Sequence, residues 1–526
     1  MNRSAAPIDR KSLLVSVVLI IVMVICAGGM SVCVLFDPGL KDAYVMTRVA
    51  LQIQRLYPEG IDSRRLLTAA REAMFERLDR YSSYVDDHYF DQMDEELTGS
   101  YYGIGITVVR DESGLMVMSV RENGPAGRVG LLSGDIIIAA DSVNLAGMSS
   151  SESATLLRGP EGTQVLITFI RPAVADTVEI SITRERIPLM HIPFAGFTPD
   201  SVIYIRLLDF EAGATDDLRA ALDSLIADTT RPAPQGLILD LRGNPGGLLL
   251  EAYRTADLFL TDGAMIVGTT GRSRWDSRKY LASGTDIADG LPMAVVVDRG
   301  SASSSEIVAG ALQQAGRAVL VGDTTFGKGL VQGFVRFPDG GGLRLTVSRY
   351  YVGDGIYLNA FDSVLNDTGQ GLAPDYCFNS VYRSGFALAL ENSLLLPEFA
   401  NLYDDDIVAA ADSGQLSDKW IERFSRYARS RDFTYRSRST QVVALIAELA
   451  RLEESGPDVH GLVDRMLDRS QGDDDRQYAV NGDYIKSRLK QIAIERRYGT
   501  YEAYRQVLVK EQPVIRFASE ILRERK

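Results

Sequence analysis

Residues 293–323 read MAVVVDRGSASSSEIVAGALQQAGRAVLVGD, and this stretch decides the class of fold. The runs MAVVVD and AVLVGD are typical of buried strands, and the segment between them carries apolar residues at helical spacing. Further upstream, SVIYIRLLDF (201–210) and GLILDL (236–241) are also apolar runs followed by helical stretches. Strands that alternate with helices of this length predict βαβ crossovers and a mainly parallel sheet, which is an α/β fold.

The size and composition of the chain restrict its class. At 526 residues it is too long for one hydrophobic core, and domains of about 150 residues predict three or four. The 46% hydrophobic and 24% charged contents are typical of globular protein. A net charge of −14 argues against a nucleic-acid-binding protein, because such a protein needs a basic surface to follow phosphates. The three cysteines are too few for a disulfide framework.

Near the N-terminus, residues 12–36 contain no charged side chain and are long enough to cross a bilayer core of about 30 Å. Basic residues precede this segment, and Asp37 is the first charge after it. The positive-inside rule therefore places a tail of residues 1–11 in the cytoplasm. We expect a single-pass anchor in the cell inner membrane, with the body of the protein on the periplasmic side. A cleaved signal peptide, cut near residues 27–29, is the alternative.

Changes in hydrophobic pattern and composition divide the rest of the chain into four regions. Residues 42–97 have a helical pattern, and residues 98–186 consist of short β-rich runs separated by turn residues. Residues 187–384 carry the strand–helix alternation. Residues 385–526 are charged and helical again. We therefore expect a multi-domain protein in which the α/β region is one part.

Two segments of the α/β region follow a buried strand and lead into a helix. They are LRGNPGG (241–247) and DRGSASSSE (298–306). Because sites in parallel sheets form beyond the carboxyl ends of strands, a glycine-rich turn and a serine at a helix start are expected to lie side by side if their strands are neighbours. This arrangement suits acyl transfer, with a hydroxyl nucleophile and backbone amides for the oxyanion. An ordinary turn at GNPGG is the alternative.

The serine cluster also has a purely structural interpretation. Ser303 and Glu306 fit the S-x-x-E capping box, in which the serine accepts an amide hydrogen and the glutamate reaches back to the cap. A helix start at this point is predicted under either interpretation. Local sequence leaves open whether Ser303 is only a cap or is also a nucleophile.

A nucleophilic serine needs a base, and the three histidines do not supply an obvious one. His88, His191 and His460 all lie outside the loops at these strand ends. Lysine is the remaining candidate, because burial can lower an amine's pKa enough to leave it neutral. The segment TTFGKGLVQ (324–332) places Lys328 between two glycines shortly after a strand. The segment also fits the G-x-x-x-x-G-K phosphate loop, but Gly329 replaces the required Ser/Thr and a strand is predicted where that loop needs a helix.

Taken together, these motifs resemble those of the carboxyl-terminal processing (tail-specific) peptidase family, whose members are PDZ-containing serine peptidases. The family motif G-S-A-S-A-S-E matches this chain except that Ser304 replaces the second alanine, and T-F-G-K-G-x-V-Q is present at residues 325–332. The family spacing between serine and lysine is also kept. The resemblance implies that Ser303 is the nucleophile, Lys328 the general base and Gln332 a residue that orients the lysine.

The same resemblance implies an oxyanion hole and a peptidase core of the crotonase-like, tail-specific protease type. LDLRGNPGG matches the family's oxyanion strand and turn. Gly246 or Gly247 would supply one amide, and Ser304, the residue after the nucleophile, would supply the other. The replacement of alanine by serine at position 304 is expected to matter little for a backbone donor.

Residues 124–148 resemble the PDZ pattern with its Gly-Asp turn. A PDZ domain binds a carboxyl terminus by strand addition, with amides of a glycine-bearing loop on the carboxylate. The matching loop is YGIGI, which comprises Tyr102, Gly103, Ile104, Gly105 and Ile106. Outside this context, a glycine-bearing strand edge would be the simpler interpretation.

The resemblance implies an exported, membrane-anchored serine endopeptidase that binds apolar C-terminal tails of proteins and needs no metal, nucleotide or other cofactor. A non-catalytic PDZ adaptor on a degenerate peptidase fold is the alternative. The role of residues 385–526 stays open between self-association, adaptor binding, coverage of the site and a stabilising cap. No nucleic-acid partner is expected.

Overall fold

The computed structural model describes most of the chain from residue 38 to residue 525. Outside the described residues lie 1–37, 87–89, 91–92, 94–98, 111–112, 122, 149, 172–175, 274–276, 289, 339, 354, 359–370, 379–383, 413–415, 436–437, 453–458, 460, 464, 467–472 and 526. The predicted tail 1–11 and membrane span 12–36 therefore fall outside them. Among the helices that are described, none combines the length and the apolarity that crossing a membrane requires.

The chain forms two compact units, of which the smaller comprises residues up to Asp87 and Gln332–Thr346. Its helices are α1 (Pro38–Leu56), which begins four residues before the region predicted to be helical (42–97), and α2 (Ser63–Phe75), which lies within that region. The Asp62 carboxylate caps α2 by accepting the Arg64 amide hydrogen. Strand β1 (Ser83–Val85) pairs antiparallel with residues 342–344.

The larger unit begins with a β-rich domain. Its helices are α3 (Pro125–Arg128) and α4 (Ser150–Leu157). Its strands are β2 (Ser100–Gly103), β3 (Ile106–Arg110), β4 (Leu115–Val120), β5 (Ile136–Ala140), β6 (Val143–Asn144), β7 (Gln164–Arg171), β8 (Asp176–Thr183) and β9 (Glu185–Pro188). The antiparallel sheet has the order β3-β4-β5-β7-β8, and β2 pairs separately with β9. Val165, Ile167 and Phe169 alternate with more exposed residues along β7 and point into the core, which is the periodicity of a half-buried strand.

The α/β region forms the predicted parallel sheet. Its strands are β10 (Phe194–Phe197), β11 (Ile203–Arg206), β12 (Leu237–Asp240), β15 (Met293–Val297), β16 (Ala318–Gly322) and β20 (Tyr376–Cys377), in that spatial order. Only β10 runs antiparallel to its neighbour. Strands β12 and β15 are adjacent, with Leu237 opposite Met293, so the two segments that follow them lie at the same edge of the sheet.

One face of this sheet packs against α5 (Ala214–Ile226), α6 (Leu249–Asp257) and α7 (Ser304–Gln314). Alternate strand residues such as Leu239 and Val295 point into that core. The remaining strands of this region are β13 (Met265–Gly271), β14 (Lys279–Leu281), β17 (Leu330–Arg336), β18 (Gly342–Val352) and β19 (Ile356–Tyr357). Within the larger unit, residues 348–352 of β18 pair antiparallel with residues 267–271 of β13.

The C-terminal region is helical, as predicted. Its helices are α8 (Gly385–Asn392), α9 (Leu395–Leu402), α10 (Asp404–Asp412), α11 (Lys419–Ser430), α12 (Arg438–Leu452), α13 (Asp473–Val480), α14 (Gly482–Tyr498), α15 (Thr500–Ala503), a π-helical turn (Tyr504–Leu508), α16 (Val509–Glu511) and α17 (Pro513–Glu524). An apolar core that includes Phe386, Phe399 and Phe424 joins several of them.

The last helix, α17, covers the second face of the parallel sheet. Ile515 and Leu522 are buried against Ile238, Val296 and other strand residues. The side chains of these strand residues point to the face of the sheet opposite α5–α7. Because both faces of a parallel sheet must be covered, the end of the chain completes the core of the α/β region. Among the four roles left open for residues 385–526, the position of α17 favours a stabilising one.

Candidate active site

The serine cluster forms a sharp turn between β15 and α7. Ser303 occupies the N-cap position of α7 with φ 54° and ψ −113°, a backbone conformation that a residue with a β-carbon rarely adopts. Such a conformation costs about 1–3 kcal/mol and is found mainly where function requires it. A strained strand-to-helix turn is also how α/β-hydrolases present a nucleophilic serine. The turn therefore favours a role for Ser303 beyond that of a cap.

The helix start predicted at this turn is confirmed, and so is the reach-back bond of Glu306. The Ser303 amide donates to Glu306 Oε2 at 2.9 Å. The Glu306 amide in turn donates to the backbone carbonyl of Ser303 at 2.8 Å. The Ser303 side chain faces the same amide, which completes the predicted capping box, and the backbone oxygen leaves that amide an acceptor if the hydroxyl is removed.

The other serine hydroxyls connect the turn before α7 to the glycine-rich turn after β12. Each donates to a backbone carbonyl of the segment 241–247. These bonds are Ser301 Oγ to Leu241 O at 2.8 Å, Ser304 Oγ to Gly247 O at 3.0 Å and Ser305 Oγ to Asn244 O at 2.8 Å. The hydroxyl at position 304, which the family motif lacks, therefore has a structural contact that sequence reasoning did not anticipate.

Gly246 brings the glycine-rich turn directly against the nucleophile segment. Its φ is +104°, and a β-carbon at this position would lie 2.9 Å from both Ser303 Cβ and the Ser304 nitrogen. Such an approach is closed to any residue with a side chain. The structure thus places the predicted oxyanion turn beside Ser303 and the Ser304 amide.

The amides of the turn differ in their hydrogen bonds. The Gly246 amide donates to Asn244 Oδ1 at 2.9 Å, so it is engaged within the turn. Among the described residues, no hydrogen bond from the amide of Gly247 or Ser304 is found. These two amides are therefore better placed than that of Gly246 to receive an oxyanion.

Glu306 joins the serine segment to the lysine segment. Its carboxylate is fully buried and accepts four hydrogen bonds. The donors are Ser303 N at 2.9 Å, Lys328 N at 2.9 Å, Thr325 Oγ1 at 2.5 Å and Gly327 N at 2.7 Å. Burial raises the pKa of Glu306, and these hydrogen bonds oppose the rise. Four donors on two oxygens match an ionised carboxylate, which can only accept.

Tyr350 on β18 makes a second connection between the same two residues. Its buried side chain donates to the Ser303 carbonyl at 3.0 Å and also lies within hydrogen-bonding distance of the Lys328 carbonyl. Glu306 therefore holds the amides of both Ser303 and Lys328, and the single O–H of Tyr350 lies between their two carbonyls. Sequence reasoning missed this contact, because Tyr350 lies in an alternating strand pattern that carries no further signal.

A buried ion cluster fixes the strand that leads into the glycine-rich turn. Asp240 accepts from Arg206 at 2.8 Å, from Arg242 at 2.6 Å and from Tyr204 at 2.8 Å. Burial opposes ionisation of Asp240, but the charges of Arg206 and Arg242 outweigh it and hold the pKa well below its usual range. Arg242 also donates to Gln512 Oε1 at 2.6 Å, which ties the start of the turn to the C-terminal region.

Gln332 belongs to the smaller compact unit, whereas Lys328 belongs to the larger one. Within its unit, the Gln332 side-chain amide donates to the Tyr81 carbonyl at 3.1 Å. Its role in orienting the lysine stays a prediction.

The predicted PDZ loop lies next to an open sheet edge. Strand β3 is the first strand in its sheet, and α4 packs against it. The carbonyls of Ile104 and Gly105 accept the amides of Ala126 and Arg121 at 3.0 Å and 2.9 Å. These hydrogen bonds fix the carbonyl groups of the loop. The loop lies at one end of β3, and the free edge of β3 can still pair with an added strand.

Three family descriptions match this chain. Peptidase family S41 matches residues 201–376, the PDZ domain matches residues 103–182, and "Probable PDZ-protease, C-terminal helical domain" matches residues 386–522.

Curated relatives carry related names. A carboxy-terminal-processing protease of Bartonella bacilliformis is 35% identical over 314 residues, which are 60% of this chain and 70% of that protein. The carboxy-terminal processing protease CtpA of Bacillus subtilis is 31% identical over 309 residues, which are 59% of this chain and 65% of that protein. A solved structure, the photosystem II D1 C-terminal processing protease, is 25% identical and covers 64% of this chain and 92% of its own, with a TM-score of 0.36.

Proposed function

Because this chain belongs to Peptidase family S41, the family of the carboxy-terminal processing proteases, we propose that Ser303 is its nucleophile and Lys328 its general base. The protein is a serine endopeptidase that recognises C-terminal tails. The observation that carries the residue assignment is the double connection of Ser303 and Lys328 through Glu306 and Tyr350. This connection fixes the backbone of both residues. The Ser303 hydroxyl and the Lys328 amine therefore start from fixed positions, which favours one reactive geometry.

In the first half of the reaction, Lys328 Nζ takes the proton from Ser303 Oγ, and the oxygen attacks the scissile carbonyl carbon. The carbonyl oxygen becomes an oxyanion, which the amides of Gly247 and Ser304 receive. Collapse of this intermediate breaks the C–N bond, and the lysine returns its proton to the leaving amine.

In the second half, the acyl-enzyme is hydrolysed. Lys328 takes a proton from water, and the resulting oxygen nucleophile attacks the ester carbon in the same oxyanion site. Collapse of the second intermediate returns the proton to Ser303 Oγ and releases the new carboxyl terminus. The buried Asp240–Arg242 pair at the start of the glycine-rich turn supports this site, because it keeps the turn from shifting between the two steps.

The substrates proposed are proteins or peptides with free apolar C-termini. A tail would add as a strand to the open edge of β3, with its carboxylate at the loop of residues 102–106. We further propose that residues 12–36 anchor the protein in the inner membrane with the peptidase on the periplasmic side, on the basis of their lack of charge and the basic residues before them. Neither half of the proposed reaction calls for a metal or a cofactor.

We expect wild-type protein to cleave an unfolded reporter with a free Ala-Leu-Val terminus at least about tenfold faster than the same reporter ending in Asp-Asp-Asp or in a C-terminal amide. An apolar free terminus fits strand addition, whereas a charged tail or a blocked carboxylate does not. Cleavage is followed by electrophoresis and mass spectrometry, with Ser303→Ala as the inactive control. A wild type that binds the apolar tail but cleaves none of the reporters would establish the adaptor alternative instead.

A further inference from the structure

His191 is a buried histidine that the proposed reaction does not use. It lies between β9, which leaves the PDZ domain, and β10, which begins the parallel sheet, and only 3% of its surface is exposed. Its Nδ1 lies 2.6 Å from Asp209 Oδ1. Its backbone carbonyl accepts the Leu208 amide at 2.9 Å, so His191 holds residues 208–209 through both backbone and side chain.

The segment that His191 holds is also the one that supports the glycine-rich turn. The next residue, Phe210, donates from its amide to the Gly246 carbonyl at 3.0 Å and accepts the Leu248 amide at 2.8 Å. A β-carbon at Gly247 would lie 2.6 Å from the Phe210 carbonyl atoms, which shows how closely the two backbones approach. A displacement of Phe210 is therefore transmitted directly to the turn.

The other end of the turn rests on the same segment. Asn244 Nδ2 donates to the Leu207 carbonyl at 3.1 Å, and Asn244 Oδ1 accepts the Gly246 amide. Asp209 itself also accepts the Glu211 amide at 3.1 Å. Residues 207–210 thus touch the turn at two points, and Asp209 is the side chain through which His191 holds them.

The charges that act on His191 are those of Asp209 and of Asp217 on α5. Burial would lower the pKa of His191, but the hydrogen bond and charge of Asp209, the charge of Asp217 and the backbone acceptor of Ala212 outweigh it and raise the pKa above that of a free histidine. The ion pair is therefore complete below the pKa of a free histidine. Its contribution is lost as the pH rises through the raised value.

We propose that His191 is a positioning residue for peptide-bond cleavage: through Asp209 it fixes residues 207–210, which set the position of the oxyanion turn. This inference rests on the proposed function, because it assumes that the Gly247 amide receives the oxyanion beside Ser303. His191 is buried away from solvent, so we expect its effect to fall on the transition state and not on substrate binding.

The test compares His191→Gln and Asp209→Asn with Asp286→Asn. Asp286 forms a partly buried pair with Arg317 in the same region, with Oδ2 and Nε 2.5 Å apart, and makes no hydrogen bond to residues 207–210 or to the turn. It is therefore a matched control for the loss of an ion pair. The measurements are kcat and KM between pH 5.5 and 9 on a short chromogenic peptide, together with urea unfolding of each variant.

We expect His191→Gln and Asp209→Asn to lower kcat by about 10- to 100-fold with KM changed less than about twofold, since a displaced oxyanion donor affects only the transition state. The ratio of wild-type kcat to that of His191→Gln should fall as the pH rises through the ionisation of His191. Asp286→Asn should leave kcat and its pH profile unchanged.

Wild-type kcat and an unchanged pH profile in folded His191→Gln would overturn the inference. So would a kcat loss in Asp286→Asn that matches the other two variants, because a general loss of stability would then explain all three. Inactivity of Ser303→Ala in the same assay keeps the proposed function in place when the inference fails. Full activity of Ser303→Ala would overturn both.

Discussion

Replacement of Ser303 by alanine is expected to lower kcat by at least about 10³-fold and to change the free energy of unfolding by less than about 0.5 kcal/mol. The substitution removes only the hydroxyl group, whose oxygen is the proposed nucleophile. The Glu306 amide, which the Ser303 side chain faces in the capping box, also donates to the Ser303 carbonyl, so it keeps an acceptor when the hydroxyl is removed. The two interpretations of the serine therefore differ in which quantity changes. Reporter cleavage measures kcat, and urea unfolding measures the free energy of unfolding.

The control for this substitution is Ser304→Ala. Its hydroxyl donates to the Gly247 carbonyl at 3.0 Å, so its loss should cost about 1 kcal/mol of stability and lower kcat far less than Ser303→Ala does, because the nucleophile is kept. If Ser303 were only a cap, Ser303→Ala would instead lose about 1 kcal/mol and keep its activity. That pattern would contradict the assignment of the nucleophile.

Glu306→Gln is expected to lower kcat by about 10²-fold or more and to destabilise the fold by about 2–3 kcal/mol. Glutamine has nearly the same shape, but it has one acceptor oxygen and an NH2 group that can only donate. In either orientation, the NH2 group faces a backbone amide that now donates to a carboxylate oxygen. A buried amide is then left unsatisfied, and the Ser303 and Lys328 segments lose their common anchor.

The matched control is Asp257→Asn. The Asp257 carboxylate also accepts backbone amides, from Ser283 at 2.6 Å and from Gly284 at 3.3 Å, but it makes no hydrogen bond to the serine or lysine segment. Asparagine can keep its oxygen on both amides and turn its NH2 group to the Ser283 hydroxyl, so it should lose only the charge of these hydrogen bonds, be less destabilised than Glu306→Gln and keep its kcat. Equal kcat losses in both variants would show that Glu306 acts only through general stability.

The fold of the α/β region was predictable because its signals are local. The runs GLILDL and MAVVVD are buried on both faces, and the helical spacing after each is regular, so the parallel order of their strands followed from the alternation alone. The serine and lysine segments were predictable because each follows a strand in that sheet. The cover of the second face by α17 was not predictable, since nothing in PVIRFASEIL says which surface it meets.

Inside the site, sequence reasoning identified individual residues better than their contacts. Glu306 was identified as part of a capping box. The hydrogen bonds to its other oxygen, Oε1, come from Thr325 and Gly327, which are about 20 positions away. The role of Tyr350 depends on where β18 places one hydroxyl. Gly246 and Gly247 were interchangeable in sequence, and only the Asn244 side chain distinguishes their amides. Such contacts depend on tertiary packing, which spacing along the chain does not reveal.

The most direct test of the Ser303–Lys328 assignment is active-site labelling with a fluorophosphonate, followed by peptide mass spectrometry. The probe forms a covalent bond with an activated serine oxygen, so it reports the nucleophile and its base together. We predict one adduct on Ser303 in the wild type, no adduct in Ser303→Ala, and labelling slowed by at least about 100-fold in Lys328→Ala. An adduct on another serine, or labelling of Lys328→Ala at the wild-type rate, would contradict the assignment.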